Sequence, residues 1–214
     1  MTTPHIAGLD LYSATITLPR TGVWSARVVH DGETLSGRVA IESDGLELSG
    51  TVQRSGVDGA QVHTLVQGGA GGLASVLPAR FWLANRINLI LADLMRETGE
   101  ALAAGVSFPE SVPRWLRHRT HGGRELTRIC RWFGDEYVWR VLRDGTVWIG
   151  AEAWPEADFA HLELERHRQN GHVLIAPEGL ADVEPGTTVD GERVDTVVHN
   201  IPPERLTTEL QLAT

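Results

Sequence analysis

Five Asp-Gly dipeptides punctuate the chain, at 31–32, 44–45, 58–59, 144–145 and 190–191. No other feature constrains the fold as strongly. Asp-Gly supplies the positive φ angles of tight hairpin turns, so its repetition favours antiparallel pairing over helical crossovers. Short runs with β-branched residues fill the intervals: SATITL, VWSARVVH, LSGRVAIES, LELSGTVQRS and AQVHTLVQ. These runs, between residues 13 and 67, predict an antiparallel meander. LSGRV (35–39) is echoed by LSGTV (48–52), and Gly37 and Gly50 fall mid-run, where glycine marks a bulge or bend. A small meander bent twice removes its exposed edges by closing on itself. The expected class is α+β, mainly antiparallel β, with small β-barrel domains and a helical middle. The expected division is a barrel over 1–70, a linker and helical segment over 71–135, and a β domain over 136–214.

Beyond the barrel, VQGGAGGLA (66–74) raises the possibility of a phosphate loop. Gly69, Gly71 and Ala74 satisfy G-x-G-x-x-A, and Asp93 lies where a dinucleotide site keeps its ribose acid. The flanks do not fit. Such a loop needs a parallel strand before it and a helix directly after it, whereas here a hairpin series precedes and Pro78 follows. A P-loop would need Lys then Ser or Thr where Leu73 and Ala74 stand. The glycines therefore read as the exit from the barrel, and no cofactor is expected.

The middle shows helical periodicity. Asn85 is placed to cap INLILADLMRETG, with Ile87, Ile90, Leu91, Leu94 and Thr98 on one stripe and Gly99 as the stop. RELTRICRWFG predicts a second helix with Leu126, Ile129, Cys130 and Phe133 inward and Gly134 at its end. Between them, LAAGVSFPESVPRWLRHRTHGG reads as a loop. EYVWRVLRDGTVWIG then predicts a hairpin, with Trp139 and Trp148 facing each other across it. The runs TTVDGERVDTVVHN and RLTTELQL are expected to pair through a turn at Pro202-Pro203.

Chemistry finds little purchase. His118, His121 and Glu125 give H-x-x-H-x-x-x-E, which lacks the i, i+4 histidine pair of a helical zinc site. His161, His167 and His172 are spread through a charged segment and read as solvated. There is no G-x-S-x-G, and Cys130, the single cysteine, reads as a buried apolar residue. No catalytic residue, metal or cofactor is assigned. Trp132, Trp139, Trp148 and Trp154 lie in a short span, which suits a core, a subunit interface or a sugar-binding platform. The start of the chain lacks a basic flank before an apolar core, and the uncharged stretch 59–79 holds too many glycines for a membrane span. Synthesis in a cytoplasm is expected.

Charge is unevenly distributed. The net is −9 over 214 residues, which disfavours nucleic acid as a partner of the whole surface. Residues 114–143 hold eight Arg against three acids, a net of +5, while residues 144–214 hold four Arg against fourteen acids, a net of −10. Such a chain can dock by opposite ends.

The order of parts resembles a known family. ITLPRTGVWSARV, then GGAGGL and LPAR, then ILADLMRETGEAL, LRDGTVWIG and TTVDGERVDTVVHNIPPERLTTEL are similar, in sequence order, to tail hub proteins of contractile phages, including the late control protein D type. The likeness runs over most of the chain. It implies a structural, non-enzymatic virion protein of the tail baseplate, assembled as a homotrimer that joins the tail tube to the central spike. DNA would pass transiently through the ring, and no membrane insertion is implied. The family's usual chain is longer, which implies a minimal hub or a role shared with a second protein. A glycan- or receptor-binding module of a tail structure is the alternative. Within this frame RWLRHRTHGGR, with Arg114, Arg117, Arg119 and Arg124 in a loop that no core demands, is the expected docking segment. Replacing the first three of these with Ser would then weaken assembly and leave melting unchanged.

Overall fold

The computed structural model describes residues 4–167, 169–202 and 206–213. Six strands form the N-terminal barrel: β1 (His5–Ile6), β2 (Leu9–Pro19), β3 (Ser25–His30), β4 (Arg38–Ser43), β5 (Leu46–Asp58) and β6 (Gln61–Gly68). Their order is β1-β4-β5-β6-β3-β2, and β1 also pairs with β2, so the ring closes. The barrel is as expected; the simple meander is not. Strand β3 pairs with β6 rather than β4, so the segment from Asp31 crosses the barrel instead of turning back. The Asp-Gly turns diverge accordingly. Asp44-Gly45 and Asp190-Gly191 are two-residue hairpin turns with positive φ at both positions. Asp31-Gly32 opens the crossing, and Asp144-Gly145 sits inside a longer loop closed by Leu142 N–H donating to the Thr146 carbonyl at 2.8 Å.

The barrel interior follows the period-two alternation of its strands, with Ile16, Ala26, Val28, Ile41, Leu48 and Val66 buried around Trp24. Gly50 lies where an added Cβ would meet the Trp24 ring at 2.7 Å and the Gln67 carbonyl oxygen at 2.5 Å. The glycine thus admits the indole, whose Nε1 donates to the Leu142 carbonyl at 3.1 Å. Gly37 precedes its strand rather than interrupting it.

After a single 3-10 turn at Gly72–Ala74 come β7 (Val76–Leu77), β8 (Arg80–Arg86), α1 (Ile87–Thr98), β9 (Ser111–Arg117), β10 (Thr120–His121) and α2 (Gly122–Phe133). Both helices were legible. In α1, Ile87, Ile90, Leu91, Leu94 and Thr98 are buried, and Gly99 ends the helix in the left-handed region. The cap position is Arg86, without a side-chain bond; Asn85 donates to the Leu83 carbonyl instead. Helix α2 starts two residues before the expected point, because Gly122 and Gly123 pack tightly on Leu73, Thr98 and Trp139. The middle is nonetheless not a helical unit. Strands β8 and β9 pair into an antiparallel ribbon between the helices, with Trp82 opposite Trp115 on the buried side. The expected loop around Arg114 and Arg117 is therefore strand.

Strands β11 (Tyr137–Val141) and β12 (Val147–Ala151) form the expected hairpin. Its register pairs Trp139 with Ile149 and Arg140 with Trp148, so the two tryptophans point to opposite faces rather than at each other. Gly22 ties the hairpin to the barrel by donating to the Trp139 carbonyl and accepting from Val141 N–H.

The last strands are β13 (His161–His167), β14 (His172–Pro177), β15 (Thr188–Val189), β16 (Glu192–Ile201) and β17 (Thr207–Leu212). Strands β16 and β17 pair as expected; Pro203 of their connection lies outside the described residues. Strand β16 also pairs with β2, from Thr196 opposite Pro19 to Ile201 opposite Ala14. Strand β2 thus serves two partners on one edge: β1 near its start and β16 over its second half. Among the described residues the result is one antiparallel sheet in which ten strands run from the barrel through β16, β17 and β14 to β13, with β15 attached to β16 as the eleventh. Among the described residues, no helix is long and apolar enough to cross a membrane.

Candidate assembly surfaces

The glycine-rich loop does bind an anion, and that anion is part of the chain. Ala70 N–H donates to one Glu100 carboxylate oxygen at 2.8 Å and Gly72 N–H to the other at 3.0 Å. Gly69 and Gly71 have φ of 75° and 83°, and a Cβ on Gly69 would lie 2.5 Å from that carboxylate. A Cβ on Gly72 would lie 1.7 Å from the Thr98 carbonyl oxygen. The glycines therefore seal the barrel exit onto the end of α1, and Glu100, largely buried, fills the nest. Asp93, the would-be ribose acid, accepts from the Trp82 indole at 3.0 Å and pairs with Arg80 and Arg96. Replacing Glu100 with Gln would leave one nest amide facing an NH2 group. The expected loss is about 1 to 2 kcal/mol of stability, read as a lower urea midpoint, and an unchanged midpoint would refute the nest's structural role.

The four candidate arginines separate in the structure. Arg114, on β9, and Arg119, before β10, are exposed, as is Arg124 in the first turn of α2. Arg117 is fully buried. Its Nη2 meets Glu97 at 2.5 Å, its Nε donates to the Pro78 carbonyl at 3.0 Å, and its guanidinium lies 5.4 Å from the Trp82 ring centre. Arg117 faces Arg80 directly across the ribbon. Two cations so placed would repel, and Glu97 resolves this by reaching both, Arg80 at 2.7 Å. The expectation that no core demands these residues fails at Arg117, because its partners sit on a helix some twenty positions earlier.

The opposite face of the ribbon is open. Phe81 pairs with Leu116 and Leu83 with Arg114, and Phe81 and Leu83 are 56% and 64% exposed. Sequence reading missed this face because Pro113 and the run of arginines suggested a loop.

The other candidates disperse. His121 Nδ1 bonds the Ala74 carbonyl at 2.7 Å, while Glu125 is buried and accepts from the Trp115 indole at 2.7 Å beside Arg128. Glu125 thus serves packing and does not converge with His118. Among the described residues, no group of three His, Cys, Asp or Glu could hold a metal ion. Burial pushes the Cys130 thiol up to about 12, which keeps it protonated. The late tryptophans build no common platform. Trp139 is buried and donates to Thr127, Trp148 lies under Arg140, Trp154 lies between Arg20 and Arg193, and Trp132 packs edge-on against Phe133. A cleft of about 380 Å³ between barrel and hairpin is lined by Leu18, Trp24, Leu142, Arg143 and Glu184.

This architecture recurs in solved structures. The 43 kDa tail protein of prophage MuSo2 from Shewanella oneidensis superposes with a TM-score of 0.73 at 9% identity, covering 99% of this chain and 97% of that one. The chain has the fold of a phage tail protein. The E. coli c3393 protein is a type VI secretion component similar in structure to the T4 tail proteins gp27 and gp5. It matches with a TM-score of 0.67 at 9% identity, over 100% of this chain and 77% of that one. The tail protein of Neisseria meningitidis MC58 matches at 0.65 and 12% identity, over 98% and 95%. No protein-family model and no curated protein matches.

Proposed function

We propose that the chain is a structural subunit of a phage-type tail, acting in the baseplate hub that links the tail tube to the central spike. The observation that carries this reading is the likeness to the MuSo2 tail protein over nearly the whole of both chains. The c3393 match supports the finer placement, because that protein is itself described as similar to gp27 and gp5. The work of such a subunit is assembly. Three copies would pack around a channel by one repeated interface, contacting tube and spike at the two ends. The acidic total suits a lumen through which DNA slides without sticking.

Multi-angle light scattering across concentration tests this. The expected result is a species three times the monomer mass at high concentration. A monomer at every concentration, with Trp132 fluorescence quenched by a glycan, would replace the hub with a receptor-binding module.

A further inference from the structure

Two surfaces stand open among the described residues, and they differ in charge. The first is the outer face of the β8–β9 ribbon. Its centre is Phe81, Leu83 and Leu116, all exposed. Arg114 sits opposite Leu83 on this face, and Arg86 at the end of β8 and Arg119 just past β9 are also exposed; none of the three has an ion-pair partner among the described residues, and neither strand carries an acid. Among the described residues the ribbon pairs with no third strand. The second surface is β13, the edge strand of the large sheet, which among the described residues pairs with β14 alone. It exposes Leu162 at 60%, and residues 156–167 hold Glu156, Asp158, Glu163 and Glu165 against one arginine, Arg166, which pairs with Glu163 and Glu192, while Glu165 pairs with His167.

We infer that the ribbon face of one copy receives the acidic β13 edge of a second copy of this chain. Charge decides the geometry. A ribbon-to-ribbon contact would set Arg114 against Arg114, and an edge-to-edge contact would set carboxylates together; each costs free energy through like-charge repulsion. Ribbon to edge places opposite charges at the rim and apolar side chains at the centre, the usual anatomy of a specific interface. Because the two patches differ, the contact is head-to-tail, and repetition closes a ring if the rotation allows. Nucleic acid is a poor occupant, since these three arginines accompany an apolar centre on a chain of net −9. This inference rests on the assembly reading above and names the surfaces that would carry it.

Sedimentation velocity of the full chain, at low and moderate salt, tests it. Arg114→Glu with Arg119→Glu is expected to weaken self-association by roughly a hundredfold, and Asp158→Arg with Glu165→Arg by a similar factor. Combining all four changes exchanges the charges and restores association to within about tenfold of the unmodified chain. Phe81→Ser with Leu83→Ser weakens association with little change in its salt dependence. All six side chains are exposed, so melting temperatures should be retained and report intact folding. An unmodified chain that never self-associates overturns both this inference and the assembly reading. One that associates, and whose variants associate equally, overturns the docking surfaces alone.

Discussion

Replacing Arg117 with Met should lower stability by about 3 kcal/mol, the low end for breaking a buried ion pair, because Glu97 keeps Arg80. For a domain of this size that is roughly 6 to 12 °C in melting temperature. The cause is cumulative. The Pro78 carbonyl loses its donor, Trp82 loses one of two cations over its ring, and Glu97 loses its buried partner. Arg114→Ser and Arg119→Ser, on exposed side chains, should each move stability by less than about 0.5 kcal/mol. Thermal melts of the three variants separate the roles. If Arg117→Met melts with the unmodified chain, the buried network contributes nothing. The triple Ser replacement suggested by sequence would thus confound folding with docking, and only the exposed arginines are informative for assembly.

Acid should destabilise the protein through His199. This residue on β16 is fully buried, with Nδ1 bonded to the Thr208 hydroxyl at 2.9 Å and Nε2 buried with no hydrogen-bond partner among the described residues. Burial, aided by the positive charge of Arg143, lowers its pKa to about 3. In the unfolded chain the value is about 6.5. Below that pH the unfolded state takes up a proton that the folded state refuses. Stability is therefore complete above about 6.5 and falls by about 1.4 kcal/mol per pH unit until about 3. At pH 4.5 the loss is roughly 2.7 kcal/mol, in addition to whatever the carboxylates contribute. His199→Gln can keep a bond to Thr208 and does not titrate. Urea unfolding at pH 7.5, 6 and 4.5 should show its stability falling less with acid than that of the unmodified chain. Equal pH slopes would mean that His199 is not the group responsible.

Legibility from sequence tracked distance along the chain. The apolar stripe of α1 is local, and each of its five positions is buried. The Val- and Trp-rich hairpin is also local, and its pairing was plain, though the facing of Trp139 and Trp148 required the register. Asp-Gly located turns but could not say which of them return a strand to its neighbour. The β3 to β4 crossing and the β2 to β16 pairing join segments with no shared pattern. The ribbon was hidden because Pro113 and the arginines near it imitate a loop; Pro is tolerated in such a strand because the outer edge needs no donor. One signal was available. Asp93 and Glu97 lie four residues apart on α1, close to its apolar stripe, and carboxylates so placed need cations. The flanks of the glycine loop spoke against a nucleotide, but only the structure supplies Glu100 as its anion.

The shared edge of β2 also sets a schedule for synthesis. Thr15 and its partner Asn200 are 185 residues apart. At ordinary translation rates the second half of β2 leaves the ribosome about 10 to 40 s before β16 can cover it. The barrel can close during that interval, since β1 to β6 are all present, yet one side of β2 stays an open template for any passing strand. The late-made strands β16 and β17 therefore act as the chain's own guard against premature aggregation. A message truncated before Glu192 should yield mostly insoluble product, although every residue of the barrel is encoded.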